Sequence, residues 1–251
     1  RQLGLQKCTR FFQTFNRTNI VYEVKPKSKD IVKDMKALIY EKFTNHRNGK
    51  VQCGIVYCFS QKDCEKMAEA LTCVRGKDAR WPKGLLALAY HAGMKENDRK
   101  TGVPKRELHQ RMWSDGRVPI ICATVAFGMG IDRSDVRCVI HANMPKSLEH
   151  YQQEAGRAGR DGLAAECVLL HAASDAARWQ SLIERSAEDA ISDGGDPTLV
   201  ARNTRAQLDL LAETSAWCRG LGCRHRAVVE YFGHEWNGSD ADEGGCGACD
   251  A

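Results

Sequence analysis

Residues 51–65 read VQCGIVYCFSQKDCE. From Val51 to Phe59 the chain is almost continuously apolar, as in a strand of a parallel sheet covered on both faces. Ser60 follows, with Asp63 three residues on, the spacing of a helix start in which the hydroxyl accepts from a free N–H of the first turn. Strand, cap and helix make half of a βαβ unit, and the alternation extends both ways. Upstream, Ile20–Val24 reads as a strand, and Asp30–Phe43 as a helix with Ile31, Met35, Leu38 and Ile39 on one face. Downstream, Leu85–Tyr90, Val118–Ala123, Val136–Ala142 and Cys167–Leu170 read as strands, with helices over Glu107–Trp113 and from Leu148. The pattern predicts an α/β fold, a parallel sheet flanked by helices. Ligands of such sheets collect beyond the carboxyl ends of the strands, here after Phe59, Ala123, Ala142 and Leu170.

The 251 residues are 43% hydrophobic and 27% charged, which excludes a disordered or fibrous chain. Lys and Arg number 37 against 32 Asp and Glu, a net +5 that permits a nucleic-acid partner without arguing for one. The longest apolar stretch, Val118–Ile131, is broken by Pro119, Thr124, Gly128 and Gly130, so no membrane partner is expected. The chain opens at Arg1 without Met or an apolar signal core, which suggests a partial sequence whose targeting information is missing. Of 12 cysteines, Cys53, Cys58, Cys122, Cys138 and Cys167 sit in apolar runs and read as reduced core residues. Cys218, Cys223, Cys246 and Cys249 cluster late in the chain with possible ligand spacing. Arg75–Gly84 and Lys95–Lys105 read as surface insertions. A polar break over Ser186–Pro197 divides the chain into domains of residues 1–190 and 195–251, the second with helices over Thr198–Trp217 and Arg224–Phe232.

Two segments carry the chemistry. Gln152–Gly162 reads QQEAGRAGRDG, with Arg157 and Arg160 each preceded by glycine. A guanidinium fork suits phosphate, and glycine lets a large anion approach the backbone; the same residues also suit an ordinary helix C-terminus. Ala123–Asp132 reads ATVAFGMGID, a buried strand ending in Thr124 and a Gly-x-Gly turn. Small residues at a strand end free backbone N–H groups for phosphate, although a lone Gly-x-Gly also serves as a plain turn.

Taken together and in order, TVAFGMGID and QQEAGRAGRDG resemble motifs V and VI of superfamily 2 helicases, in a spelling close to the RecQ family. FNRTN (Phe15–Asn19), GIVYCFSQKDCE (Gly54–Glu65), LAYHAGM (Leu88–Met94), CVIHANMPKS (Cys138–Ser147) and CRHRAVVEYFG (Cys223–Gly233) are similar to further RecQ stretches. The resemblance spans nearly the whole chain and is nearest to eukaryotic Bloom-type enzymes.

It implies an ATP-driven 3′–5′ DNA helicase acting in repair, recombination and replication in the nucleus. This chain would be the second RecA-like domain followed by a helical zinc-binding domain. ATP with Mg²⁺ would be shared with a first RecA-like domain, since nothing here reads G-x-x-x-x-G-K-[ST] or D-E-x-H. By motif match Arg160 is the arginine finger, Arg157 and Gln153 support the same phosphate and the linkage to DNA, Gly130 contacts the nucleotide, and Asp132 faces the nucleotide or orients motif VI. Single-stranded DNA would lie on Lys27, Ser28 and Lys29, on Ser60, Gln61 and Lys62, on Thr124, and on Arg178, Trp179 and Gln180, with duplex DNA ahead of it. For each lysine a merely solvated surface charge is the plain alternative. The competing function is a binding-only module of DNA or protein partners without turnover.

Cys223 and the C-x-x-C pair Cys246 and Cys249 supply three of the four ligands a structural zinc site needs. The fourth is expected from Asp242, the nearest match to the family position, with Asp240, Glu243, His234 and Cys218 as rivals.

Overall fold

The computed structural model describes residues 15–45, 47–72, 87–128, 133–220, 222–236 and 246–250. In chain order the elements are β1 (Ile20–Pro26), α1 (Ile31–Phe43), β2 (Thr44–Asn45), β3 (Lys50–Val51), β4 (Gly54–Tyr57), α2 (Gln61–Leu71), β5 (Ala87–Tyr90) and α3 (Lys105–Ser114). They continue with β6 (Ile120–Ala123), β7 (Cys138–His141), α4 (Leu148–Ala155), β8 (Ala165–His171), α5 (Ala173–Ser192), α6 (Pro197–Arg219) and α7 (Arg224–Tyr231). Six strands form one sheet in the order β1-β8-β7-β4-β6-β5, every neighbour parallel. β2 and β3 form a separate small hairpin.

The run that predicted a doubly covered strand is one: all four residues of β4 are buried at the sheet's centre. Ile55 and Tyr57 belong to one core, with Trp113, Ile121, Phe127, Val139 and Tyr151, whereas Val56 belongs to the other, with Met35, Phe43, Met67 and Leu71 of α1 and α2. That alternation is the two-residue period of a strand. Cys53, Cys58, Cys122, Cys138 and Cys167 are buried free thiols, as expected. Burial pushes Cys122 and Cys138 well above the ordinary thiol range, so they stay protonated.

Ser60 caps α2 and accepts from Asp63 N at 3.1 Å. The Asp63 carboxylate pairs with Arg178 at 3.0 Å. The break expected over Ser186–Pro197 is shorter than its composition suggested. Helix α5 runs on to Ser192, because Ile183 is buried and Ala187 and Ala190 follow on the same half-buried stripe; only Asp193–Asp196 separate it from α6. Asp196 caps α6 by accepting from Thr198 N at 2.7 Å, with Pro197 in the first turn. No described helix is long and apolar enough to cross a membrane.

Candidate functional site

α4 ends at Ala155 and Gly156 turns the chain into the arginine-bearing loop. The loop is held from outside. Arg17 Nη2 donates to Ala158 O at 3.1 Å and to Gly159 O at 2.9 Å, and Asn19 Nδ2 donates to Gly159 O at 2.9 Å and to Leu163 O at 3.0 Å. Gly159 has φ +55°, and a Cβ there would lie 2.5 Å from Asn19 Nδ2 and 2.8 Å from Leu163 O. Glycine is thus required by conformation and by space. Arg157 is half-buried against Gly128: a Cβ at Gly128 would sit 2.8 Å from Arg157 Nη2. Its Nε is buried without a hydrogen-bond partner. Burial pushes the Tyr57 phenol up, and the nearby Arg157 guanidinium acts the other way. Gln153 and Arg160 are exposed on the last turn of α4 and on the loop. Asp132 and Gly130 lie outside the described residues.

The residues expected to meet DNA gather at the carboxyl ends of the strands. Thr124 follows β6, half-exposed. Ser60, Gln61 and Lys62 open α2, and the Gln61 side chain fills the space beside Gly93 in the loop after β5. Arg178 stacks its guanidinium 3.7 Å from the centre of the Phe59 ring, which also meets Trp179 at 4.4 Å. Trp179 Nε1 donates to Met144 O at 2.7 Å, and Gln180 turns to Glu184 along α5. Phe59, Val125, Met144, Pro145 and Trp179 line a cavity of about 220 Å³. Within it, the His141 ring lies 2.8 Å from Glu154.

Lys27, expected on the DNA track, is paired inside the protein. Its side chain is 11% exposed and its ammonium pairs with the buried Asp175 at 2.5 Å. Asp175 also accepts from Met144 N and Ala172 N, both at 3.2 Å. Lys27 therefore ties β1 to the start of α5, and most of its side chain is buried in that tie. Ser28 and Lys29 are exposed, with Ser28 bonded to Asp34 at 2.8 Å.

The third group lies where the chain's last described residues return to β1. Cys223, His225, Cys246 and Cys249 place one ligand atom each within 4.8 Å of one another. The sulfurs of Cys246 and Cys249 are 3.6 Å apart, and those of Cys249 and Cys223 are 3.9 Å apart. Sulfurs 2.3 Å from a shared tetrahedral zinc would be separated by about 3.8 Å, so the spacing fits. His225 Nδ1 is 3.2 Å from Cys246 Sγ, and its Nε2 lies 3.0 Å from Ile20 O. An Nε2–H donated to that carbonyl leaves the Nδ1 lone pair facing the sulfurs. Burial lowers the His225 imidazole, the carbonyls of Arg17 and Ile20 opposing it. Burial works against a Cys223 thiolate, but the Arg226 N–H and the neighbouring thiols bring it below the ordinary range. Asp242, Asp240 and Glu243 lie outside the described residues. Cys218 is buried in the main core, and His234 meets the Phe15 ring edge-on at 5.2 Å. His225 was not among the ligands expected from the sequence; the fold brings it to the three cysteines.

Residues 31–162 match the family described as helicase conserved C-terminal domain, and residues 173–251 match RecQ zinc-binding. The chain belongs to the helicase C-terminal domain family: its sheet is a RecA-like motor fold, and a RecQ zinc-binding domain follows it. That second match begins at the first residue of α5, so the helical hairpin goes with the zinc-binding part.

Among curated relatives, the chain is 36% identical to ATP-dependent DNA helicase Q1 of Pongo abelii, over 98% of this chain and 32% of that protein. It is 44% identical to ATP-dependent DNA helicase Q-like 4B of Arabidopsis thaliana, over 73% of this chain and 14% of the relative. RecQ-like DNA helicase blm-1 of Caenorhabditis elegans is 36% identical over 94% of this chain and 20% of its own length. Equal identity to Q1 and to blm-1 gives no preference for the Bloom type. The chain spans at most about a third of these relatives.

Proposed function

We propose that this chain is the second motor domain, with its zinc-binding domain, of a RecQ-type ATP-dependent DNA helicase moving 3′ to 5′. The observation that carries the reading is the loop of residues 156–162. It lies at the end of the matched helicase segment, is pinned by Arg17 and Asn19, and carries Arg157 and Arg160 in a G-R-x-G-R frame. ATP with Mg²⁺ supplies the phosphoryl group and its counter-charge. A first RecA-like domain supplies the phosphate-cradling loop. Arg160 reaches the γ-phosphate from this side and stabilises charge that develops only in the transition state. Arg157 and Gln153 orient the loop and its phosphate, and Asp132 and Gly130 are assigned to nucleotide binding by motif match alone.

Single-stranded DNA runs over Ser28, Lys29, Ser60, Gln61, Lys62, Thr124, Arg178, Trp179 and Gln180. Contacts from hydroxyls, ammonium groups and a helix N-terminus hold the backbone and read no base. The exposed face of the Phe59–Arg178–Trp179 stack gives the bases an apolar surface. Three cysteines, with His225 as the fourth donor among the described residues, hold one structural zinc ion. The site of action is the nucleus, in repair, recombination and replication.

Joined behind a motor domain that carries a phosphate loop, the chain should hydrolyse ATP when single-stranded DNA is added and open a duplex with a 3′ tail. The 251 residues alone should do neither. Robust DNA-stimulated hydrolysis by the chain alone would overturn the division of the site.

A further inference from the structure

Phe15–Ile20 is wedged between two parts of the molecule. On one side it grips the arginine loop through Arg17 and Asn19, and Ala165 N donates to Asn19 O at 2.9 Å. On the other side it meets the zinc-binding part: Phe15 stacks on Phe232 at 4.3 Å, and Ile20 O faces His225 Nε2 at 3.0 Å. The strand that follows is gripped by the same part. Tyr22 N donates to Ala248 O at 3.2 Å, Asp250 N to Tyr22 O at 3.1 Å, and Val24 N to the Asp250 carboxylate at 2.8 Å. The Cys246–Asp250 segment is thus laid against β1, with Tyr22 bridged to Cys249. Arg224 fastens Asp250 from the other side at 2.9 Å.

Beside these hydrogen bonds and the Arg224–Asp250 ion pair, a metal shared by Cys223, His225, Cys246 and Cys249 would fasten Cys246–Asp250 to the start of α7 and so tighten it against β1. Without a metal, the contacts of Cys246–Asp250 with β1 and of His225 with Ile20 O would loosen, while the pairing of β1 with β8 remains.

We propose that Arg17 and Asn19 are positioning residues for the arginine loop, and that zinc at the cysteine cluster holds them in place through β1, so that metal occupancy is read at Arg157 and Arg160. The consequence for turnover rests on the nucleotide role assigned to that loop; the mechanical coupling does not.

Hydrogen exchange tests the coupling without nucleotide. The chain is compared zinc-loaded and after chelation under reducing conditions. Peptides covering 20–24 and 156–165 should exchange about fivefold faster for each hydrogen bond of roughly 1 kcal/mol that is loosened. Peptides from α1 and α2 should be unchanged. Faster exchange at 20–24 with an unaltered loop would overturn the proposal.

Should chelation unfold the whole chain, a second measurement decides. Coupling is reciprocal, so weakening the clamp must weaken the metal. Arg17→Gln with Asn19→Ala should speed exchange of the loop in the zinc-loaded chain. It should also lower zinc affinity, read by competition with a chromophoric chelator, by about fivefold for a coupling near 1 kcal/mol. Unchanged zinc affinity in that variant would refute the link. Neither measurement depends on whether Arg160 acts on ATP.

Discussion

Gly159→Ala separates two demands on the arginine loop, with Gly162→Ala as its control. Both glycines have positive φ, +55° and +79°, so alanine at either adopts a left-handed conformation costing about 1–2 kcal/mol. Alanine also restricts the unfolded chain, which returns roughly 0.4–1 kcal/mol. At Gly162 a Cβ meets nothing within 4 Å, so the net loss should be about 0.5–1 kcal/mol. At Gly159 the Cβ would be 2.5 Å from Asn19 Nδ2 and 2.8 Å from Leu163 O, and the second is backbone and cannot swing away. Displacing Asn19 breaks its bonds to Gly159 O and Leu163 O, each contributing about 1 kcal/mol. The expected loss is therefore about 3 kcal/mol, some 2 kcal/mol beyond the control. Urea unfolding of the zinc-loaded chain followed by circular dichroism reads both. Equal losses for the two variants would refute the clamp by Asn19.

Asp175→Ala should destabilise the chain by about 3–5 kcal/mol in a thermal melt, since it strands a buried ammonium and removes the acceptor of the Met144 and Ala172 N–H groups; Lys27→Met with Asp175→Asn, whose amide oxygen can still accept from those groups, should recover part of that loss. Purified chain should contain one zinc. Cys249→Ala should reduce it below about a tenth of an equivalent, because a structural site needs its full ligand set. His225→Ala should weaken the metal, whereas full zinc after both His225→Ala and Asp242→Ala would move the fourth ligand elsewhere. Reversing charge at Lys29 and Lys62 should flatten the dependence of log affinity for single-stranded DNA on log salt by about 0.7 per lost contact, and an unchanged slope would make them ordinary surface charges.

Much of the fold was legible because parallel strands leave a plain trace. Ile55, Val56 and Tyr57 are apolar in succession since helices cover both faces, and Ser60 marks the helix start. The arginine motif was equally visible, because its glycines answer a local backbone need. What could not be read is long-range partnership. Lys27 looked like any exposed lysine in KPKSK, and only the fold brings Asp175, 148 residues away, onto it. His225 hid in the same way: in CRHRAVVEYFG it is one turn of a helix, and its value as a ligand comes from Cys246, 21 residues on. The extent of α5 was misjudged for a related reason. Ser186–Ser192 is polar in composition, yet Ala187 and Ala190 continue the half-buried stripe begun at Ile183 and the segment remains helical.

On the proposed reading, this chain contributes Arg160 to ATP hydrolysis on a partner motor domain. The most direct test is Arg160→Ala in a chain that also carries the phosphate-loop domain, with nucleotide affinity measured beside kcat. On the proposed reading, ground-state binding would come mainly from the other domain and Arg160 would act on the transition state, so kcat should fall by about 10³–10⁵ while ATP affinity is nearly unchanged. Weakened ATP binding with kcat intact would contradict it.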